Sequence, residues 1–209
     1  MTQLLLASLF SLGLHTTATP LTSDNTEEWK SIFDGKTLQG WKANEQPDNW
    51  TVENGAISGH GSRSHLYYVT EELDNFELKS DVMINKGGNS GIYVHIAFHE
   101  EGWFFDGHEV QINNTHRDPV KTGSLWAVVK LFDSPVQDDE WFRVHIKVEG
   151  QNIVVRLNNK VVIDYTEPVG AAGPRRLSKG YLALQQHDPG SRVRFRNIAL
   201  KKLPDTASE

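Results

Sequence analysis

The sequence predicts an all-β chain, folded as two sheets packed face to face or as a barrel. Period-two alternation of apolar and polar residues recurs, most plainly over residues 76–84, 142–148 and 192–196; such alternation marks a strand with one buried face. Turn residues punctuate the alternating runs: Asn54-Gly55, Gly87-Gly88-Asn89, Gly102, Pro119, Pro135, Gly150, Gly173-Pro174 and Pro189-Gly190. Beyond the N-terminal apolar run, no stretch of ten or more residues keeps a clean 3.6-residue period.

Taken in order, residues 4–14 (LLLASLFSLGL) form an apolar run shorter than the ~20 residues that span a bilayer. Small residues follow it, as in a secretory signal, so residues 1–19 are expected to be a cleaved leader and the protein to be exported, to the periplasm or the extracellular space. Residues 20–28 read as a polar lead-in, 29–203 as a single domain and 204–209 as a frayed tail. Asp34-Gly35 reads as a turn. Strands are expected at 50–52, 56–58, 65–70, 76–84, 90–98, 107–113 and 123–129, then at 142–148. Residues 152–165 are two β-branched runs around Asn158-Asn159, a tight hairpin because Asn tolerates positive φ. Strands at 180–187 and 192–196 close the domain. Trp29, Trp41 and Trp141 are expected to be core rings, and Arg196 to tie sheets or loops together.

Composition excludes several functions. The 209 residues contain no cysteine, which removes disulfides, thiolate metal sites and cysteine nucleophiles. With 21 Lys and Arg against 27 Asp and Glu, the net charge of −6 argues against a nucleic-acid partner. No membrane span is expected beyond the leader.

Three strands carry polar side chains that a solvated face explains poorly. Glu109, Gln111 and Asn113 share one face of their strand, with Val110 and Ile112 on the other. Alternation puts Tyr93 and His95 opposite Ile92, Val94 and Ile96, and Gln185 and His187 opposite Leu182 and Leu184. If the three strands share a sheet, these faces form a groove of amides, a carboxylate and rings, the mixture that grips a sugar. Trp103, between Gly102 and Gly107, is a rim contact or a core plug.

The order of motifs resembles a known family. Ile32-Phe33-Asp34-Gly35-Lys36-Thr37-Leu38-Gln39-Gly40-Trp41 is similar to the opening LFDGKTLxGW of the family once called DUF1080, now the 3-keto-disaccharide hydrolase domain. Asn89-Ser90-Gly91-Ile92 resembles its NSGI strand, Glu109-Val110-Gln111-Ile112 its EvQI strand, and Gly123-Ser124-Leu125-Trp126 its tGalY segment. Gly180–His187 followed by Phe195-Arg196-Asn197-Ile198 resembles its closing blocks, so the likeness spans residues 29–203. It implies a concanavalin A-like, antiparallel jelly-roll sandwich, an exported bacterial protein and cleavage of 3-keto-glycosides, small-molecule carbohydrates. A ketone at C3 acidifies the C2 proton and places the C1 leaving group β to the carbonyl, so one base can trigger elimination and water can add back. On this reading Glu109 is general base or metal ligand and His187 its acid–base partner or metal ligand. Tyr93, His95, Asn113 and Trp103 contact the substrate, and Gln111 and Gln185 orient its hydroxyls or stabilise the enolate. A divalent cation is permitted and not required. The chain departs from the family at two groove positions: His95 stands where Arg is usual and Asn113 where Asp is usual. The alternative is a lectin-like, non-catalytic carbohydrate-binding module on the same sandwich.

Overall fold

The computed structural model describes residues 28–204. The expected leader, most of the lead-in and the last five residues lie outside the described residues. Thirteen strands follow in order: β1 (Lys30–Ser31), β2 (Trp41–Ala43), β3 (Trp50–Glu53), β4 (Ala56–His60), β5 (Ser64–Leu73), β6 (Phe76–Ile84), β7 (Ser90–Ile96), β8 (His108–Ile112), β9 (Phe142–Glu149), β10 (Asn152–Leu157), β11 (Lys160–Thr166), β12 (Gly180–Gln186) and β13 (Arg192–Lys202). The one helical element among the described residues is a 3₁₀ turn, Pro47–Asn49.

The strands form two antiparallel sheets. One runs β11-β10-β9-β6-β13-β4-β3 with β1 paired to β13, and the other runs β2-β5-β12-β7-β8. The fold is therefore the expected jelly-roll sandwich. Alternation explains the larger sheet: Phe76, Leu78, Val82 and Ile84 of β6 and Phe142, Val144, Ile146 and Val148 of β9 point inward. The smaller sheet meets them with Leu66, Ile92, Val94, Val110, Ile112, Leu182 and Leu184. At the β10–β11 hairpin, Asn158 (φ 47°) and Asn159 (φ 69°) adopt the left-handed conformation expected of them.

Some elements differ from expectation. Residues 123–129 form turns, joined to β8 by the bridge Val110–Leu125 and by the Trp126 N–H, which donates to Glu109 O at 3.0 Å. Trp29 is 37% exposed, its ring under Lys79 Nζ at 3.8 Å, so it is no core ring. Trp141 is half-buried, with the Arg196 guanidinium 3.9 Å above it. Only Trp41 of the three is buried as expected. No helix among the described residues is long and apolar enough to cross a membrane.

Candidate functional site

Strands β7 and β8 are buried on both faces, and β12 nearly so. One face of these strands belongs to the core. The other carries polar residues that loops, not solvent, cover: Tyr93 is 2% exposed, Glu109 5%, Gln111 2% and Gln185 1%. Antiparallel register sets Tyr93 opposite Glu109, Gly91 opposite Gln111 and His65 opposite Gln185. A solvated outer face does not bury a carboxylate and two amides this deeply.

These groups line a cavity of about 260 Å³, with Trp103 and His187 at its edge. Tyr93 Oη donates to Glu109 Oε2 (2.9 Å) and itself accepts from Gln185 Nε2 (3.1 Å). Gln111 Nε2 donates to Asn89 Oδ1 at 2.7 Å. Both glutamines thus spend their amide N–H groups on neighbours, and their Oε1 atoms are left without a donor. Such acceptors suit sugar hydroxyls. Burial pushes the Glu109 carboxyl up to about 7, against the Tyr93 hydrogen bond and the Arg175 charge, which favour the carboxylate. Burial and the facing Glu109 also raise the Tyr93 hydroxyl well above its ordinary value, so it stays a donor. Gly91 makes room for the carboxylate: a Cβ there would lie 2.5 Å from Glu109 Oε1.

Loops complete the walls. Trp103 is 43% exposed, with the His187 ring 4.8 Å and the Arg63 guanidinium 5.2 Å from it, so it is a rim residue. His187 Nδ1 bonds Asp188 Oδ2 at 2.8 Å. His65 lies under the same loop, its ring 4.2 Å from Phe104, and burial pushes it down to about 3, so it is neutral.

Two expected groove residues are elsewhere. His95 sits in a β-bulge: the β7–β12 register advances three residues from Tyr93 to Ile96 against two from Ala183 to Tyr181. His95 has φ 58°, and Ile96 falls on the Tyr93 face. The extra residue turns the His95 ring away from the pocket. There Nδ1 accepts the Ser178 N–H at 3.0 Å, which leaves Nε2–H to donate to Asp74 O at 2.8 Å. Asn113 lies just beyond β8, turned into its own loop. Its Nδ2 donates to Asp118 O (3.0 Å) and Val120 O (2.8 Å), and Oδ1 accepts the His116 N–H (2.9 Å). Both departures from the family pattern therefore fall outside the pocket.

Sequence reasoning missed Asn89, Phe104, Phe105, Asp118, Trp126 and Arg175, which also line the cavity. Asn89, Phe104, Phe105 and Trp126 stand in segments the reading had singled out. Nothing in the spacing of Gly173-Pro174-Arg175 marks Arg175, which reaches the site from a loop distant in sequence. No group of three or more His, Cys, Asp or Glu among the described residues is arranged to hold a metal ion.

Comparison with known proteins agrees with this fold. A family model described as the 3-keto-alpha-glucoside-1,2-lyase-like domain matches residues 28–201. A Bacteroides thetaiotaomicron protein named 3-keto-disaccharide hydrolase is 25% identical, over 83% of this chain and 78% of its own. A crystal structure from Parabacteroides distasonis, described as a glycosyl hydrolase, is 26% identical with a TM-score of 0.67, covering 84% of this chain and all of that one (100%). A carbohydrate-binding module from Bacillus subtilis shares the fold at 14% identity and TM-score 0.58, covering 78% of this chain and 96% of that one.

Proposed function

The chain belongs to the 3-keto-alpha-glucoside-1,2-lyase-like domain family, and from that premise we propose that it is an exported enzyme cleaving 3-keto-glycosides, 3-keto-disaccharides among them. The observation that carries this reading is the single carboxylate buried on the pocket floor, Glu109, whose strand neighbours Tyr93, Gln111 and Gln185 are neutral hydrogen-bonding groups. Asp118 is half-buried on a loop, its Oδ1 accepting the Val120 N–H at 2.9 Å. Ordinary glycosidases place two carboxylates about the scissile bond. One base on a neutral floor suits enolisation instead.

In the proposed reaction Glu109 takes the C2 proton. The freed electron pair forms the enolate, then expels the C1 substituent, which leaves with a proton from His187. Water adds to C1 of the resulting enone, giving the free 3-keto sugar. A carboxyl near 7 is a competent base at neutral pH. Tyr93 holds its Oε2, and the Gln111 and Gln185 Oε1 atoms accept substrate hydroxyls.

The test is turnover of a purified 3-keto-glucoside, with Glu109→Gln expected to abolish it. Unimpaired turnover by that variant removes Glu109 from the mechanism. The lectin-like alternative draws on Trp103 and Phe105, exposed rings at the rim that could bind glycan without chemistry. Saturable glycan binding with no turnover by the wild type favours it.

A further inference from the structure

Arg175 is the one Lys or Arg among the residues lining the pocket. It comes from the loop between β11 and β12, and its Cζ lies 5.0 Å from the Trp126 ring centroid. We propose that Arg175 is the oxyanion donor of this pocket, its guanidinium binding the sugar oxygen that gains negative charge when Glu109 removes the adjacent proton. The proposal rests on the reading of the pocket as a 3-keto-glycoside site and adds the residue that stabilises the enolate.

The guanidinium is poorly satisfied by its own chain. Nη2 donates to Phe104 O at 3.2 Å, and Nη1 is buried with no acceptor. No carboxylate pairs with Arg175 among the described residues, whereas the adjacent Arg176 approaches Glu167 Oε1 at 3.8 Å. A half-buried guanidinium with one buried, unpartnered N–H arm is expected to have a partner there, and a ligand oxygen can be that partner. Its charge already acts on the reacting groups, since it opposes the burial that raises the proton affinities of Glu109 and Tyr93.

A loop-holding role does not account for it. The loop is fastened by other residues: Glu167 Oε2 accepts the Leu177 N–H at 3.0 Å and faces His108 Nε2 at 3.4 Å, and Ser178 N–H donates to His95. The groove positions expected from strand alternation carry no permanent cation, His95 standing where Arg is usual. The fold supplies one from a different loop.

The chemistry balances with Arg175 as a bystander to every proton. When Glu109 takes the proton from C2, the C–H pair becomes the C2=C3 bond and the carbonyl pair moves onto O3. The guanidinium N–H groups hold that oxyanion until the pair returns and the C1–O bond breaks. Donors aimed where charge develops act on kcat more than on substrate binding.

The experiment compares wild type, Arg175→Lys and Arg175→Ala on a 3-keto-glucoside. Arg175→Ala is expected to lower kcat by about 10²–10³-fold, with Arg175→Lys intermediate, since it keeps the charge and loses the fork. Millimolar guanidinium is expected to restore part of the Ala variant's rate. Without substrate, the Glu109 carboxyl followed by carbon-13 NMR is expected to titrate higher in Arg175→Ala. Retention of kcat within about threefold, far below the loss of an oxyanion donor, overturns the proposal. So does a loss that comes with a lower melting temperature and no rescue by guanidinium. A wild type inert on 3-keto-glycosides overturns the functional reading itself, and this role with it. An active wild type with an indifferent Arg175 overturns this role alone.

Discussion

At the scale of single residues, Glu109 ties catalysis to stability. Its carboxyl titrates at about 7 in the fold against 4.5 for the unperturbed group. The base works as carboxylate, so kcat/KM is expected to rise with pH through about 7, as a pH–rate profile would show. Stability moves oppositely. Between pH 4.5 and 7 the unfolded chain has lost this proton and the folded chain keeps it, so folding is disfavoured increasingly as pH rises. Above pH 7 the penalty is complete, at about 3 kcal/mol for a shift of this size. Glu109→Gln removes the charge and keeps an acceptor for Tyr93. It is expected to raise the melting temperature at pH 8 and to leave it nearly unchanged at pH 4, while abolishing turnover. Gly91→Ala probes the same group from beneath. The added Cβ would press on Glu109 Oε1, so kcat/KM should fall, with a stability loss of about 1–3 kcal/mol. Full activity in that variant would mean that the carboxylate has room to move without consequence.

Whole elements show where pattern reading succeeds and where it stops. Strands β6 and β9 and the β10–β11 hairpin were legible because each is local: period two selects the face, and two Asn residues make the turn. The shared face of Tyr93, Glu109, Gln111 and Gln185 was legible for the same reason. His95 was not, because one inserted residue reverses the parity of everything after it, and a bulge leaves no local signature beyond a non-glycine residue at positive φ. Arg175 and Trp126 were not, because tertiary folding of long connections brings them to the pocket. The bulge has a consequence for the loop that carries Arg175. His95 accepts the Ser178 N–H as a neutral imidazole, and burial lowers its proton affinity, opposed by Asp74 and Glu167 and reinforced by His108. The folded pKa lies below the unfolded value of 6.5. The contact therefore contributes fully above that pH and is lost as pH falls through the folded pKa. Hydrogen-exchange protection at the Ser178 amide, corrected for intrinsic rate, is expected to drop on acidification in the wild type. A protection that stays constant to acid pH would show that His95 does not fasten the loop.

For the molecule as a whole, the question is what holds two sheets together without any disulfide. The chain contains no cysteine, so packing must suffice. Strand β13 is central to the larger sheet, pairing with β1, β4 and β6, and Phe195 at its middle is fully buried. The apolar faces of both sheets enter one continuous cluster that includes Phe195, Leu184, Ile92 and Val110. Truncating a buried Phe to Ala costs about 3–5 kcal/mol, a large part of the 5–15 kcal/mol typical of a domain. Phe195→Ala is therefore expected to lower the urea midpoint sharply with an unchanged slope. Trp103→Ala, at the rim, should leave the midpoint nearly in place, within about 0.5–1 kcal/mol, and weaken substrate affinity. Because both sheets share the core, tryptophan fluorescence and far-ultraviolet circular dichroism should report one coincident transition in all three proteins. Trp41 belongs to the smaller sheet and Trp50 to the larger, so fluorescence samples both. Two separated transitions would mean that the sheets unfold independently, and that residues 29–203 do not behave as a single domain.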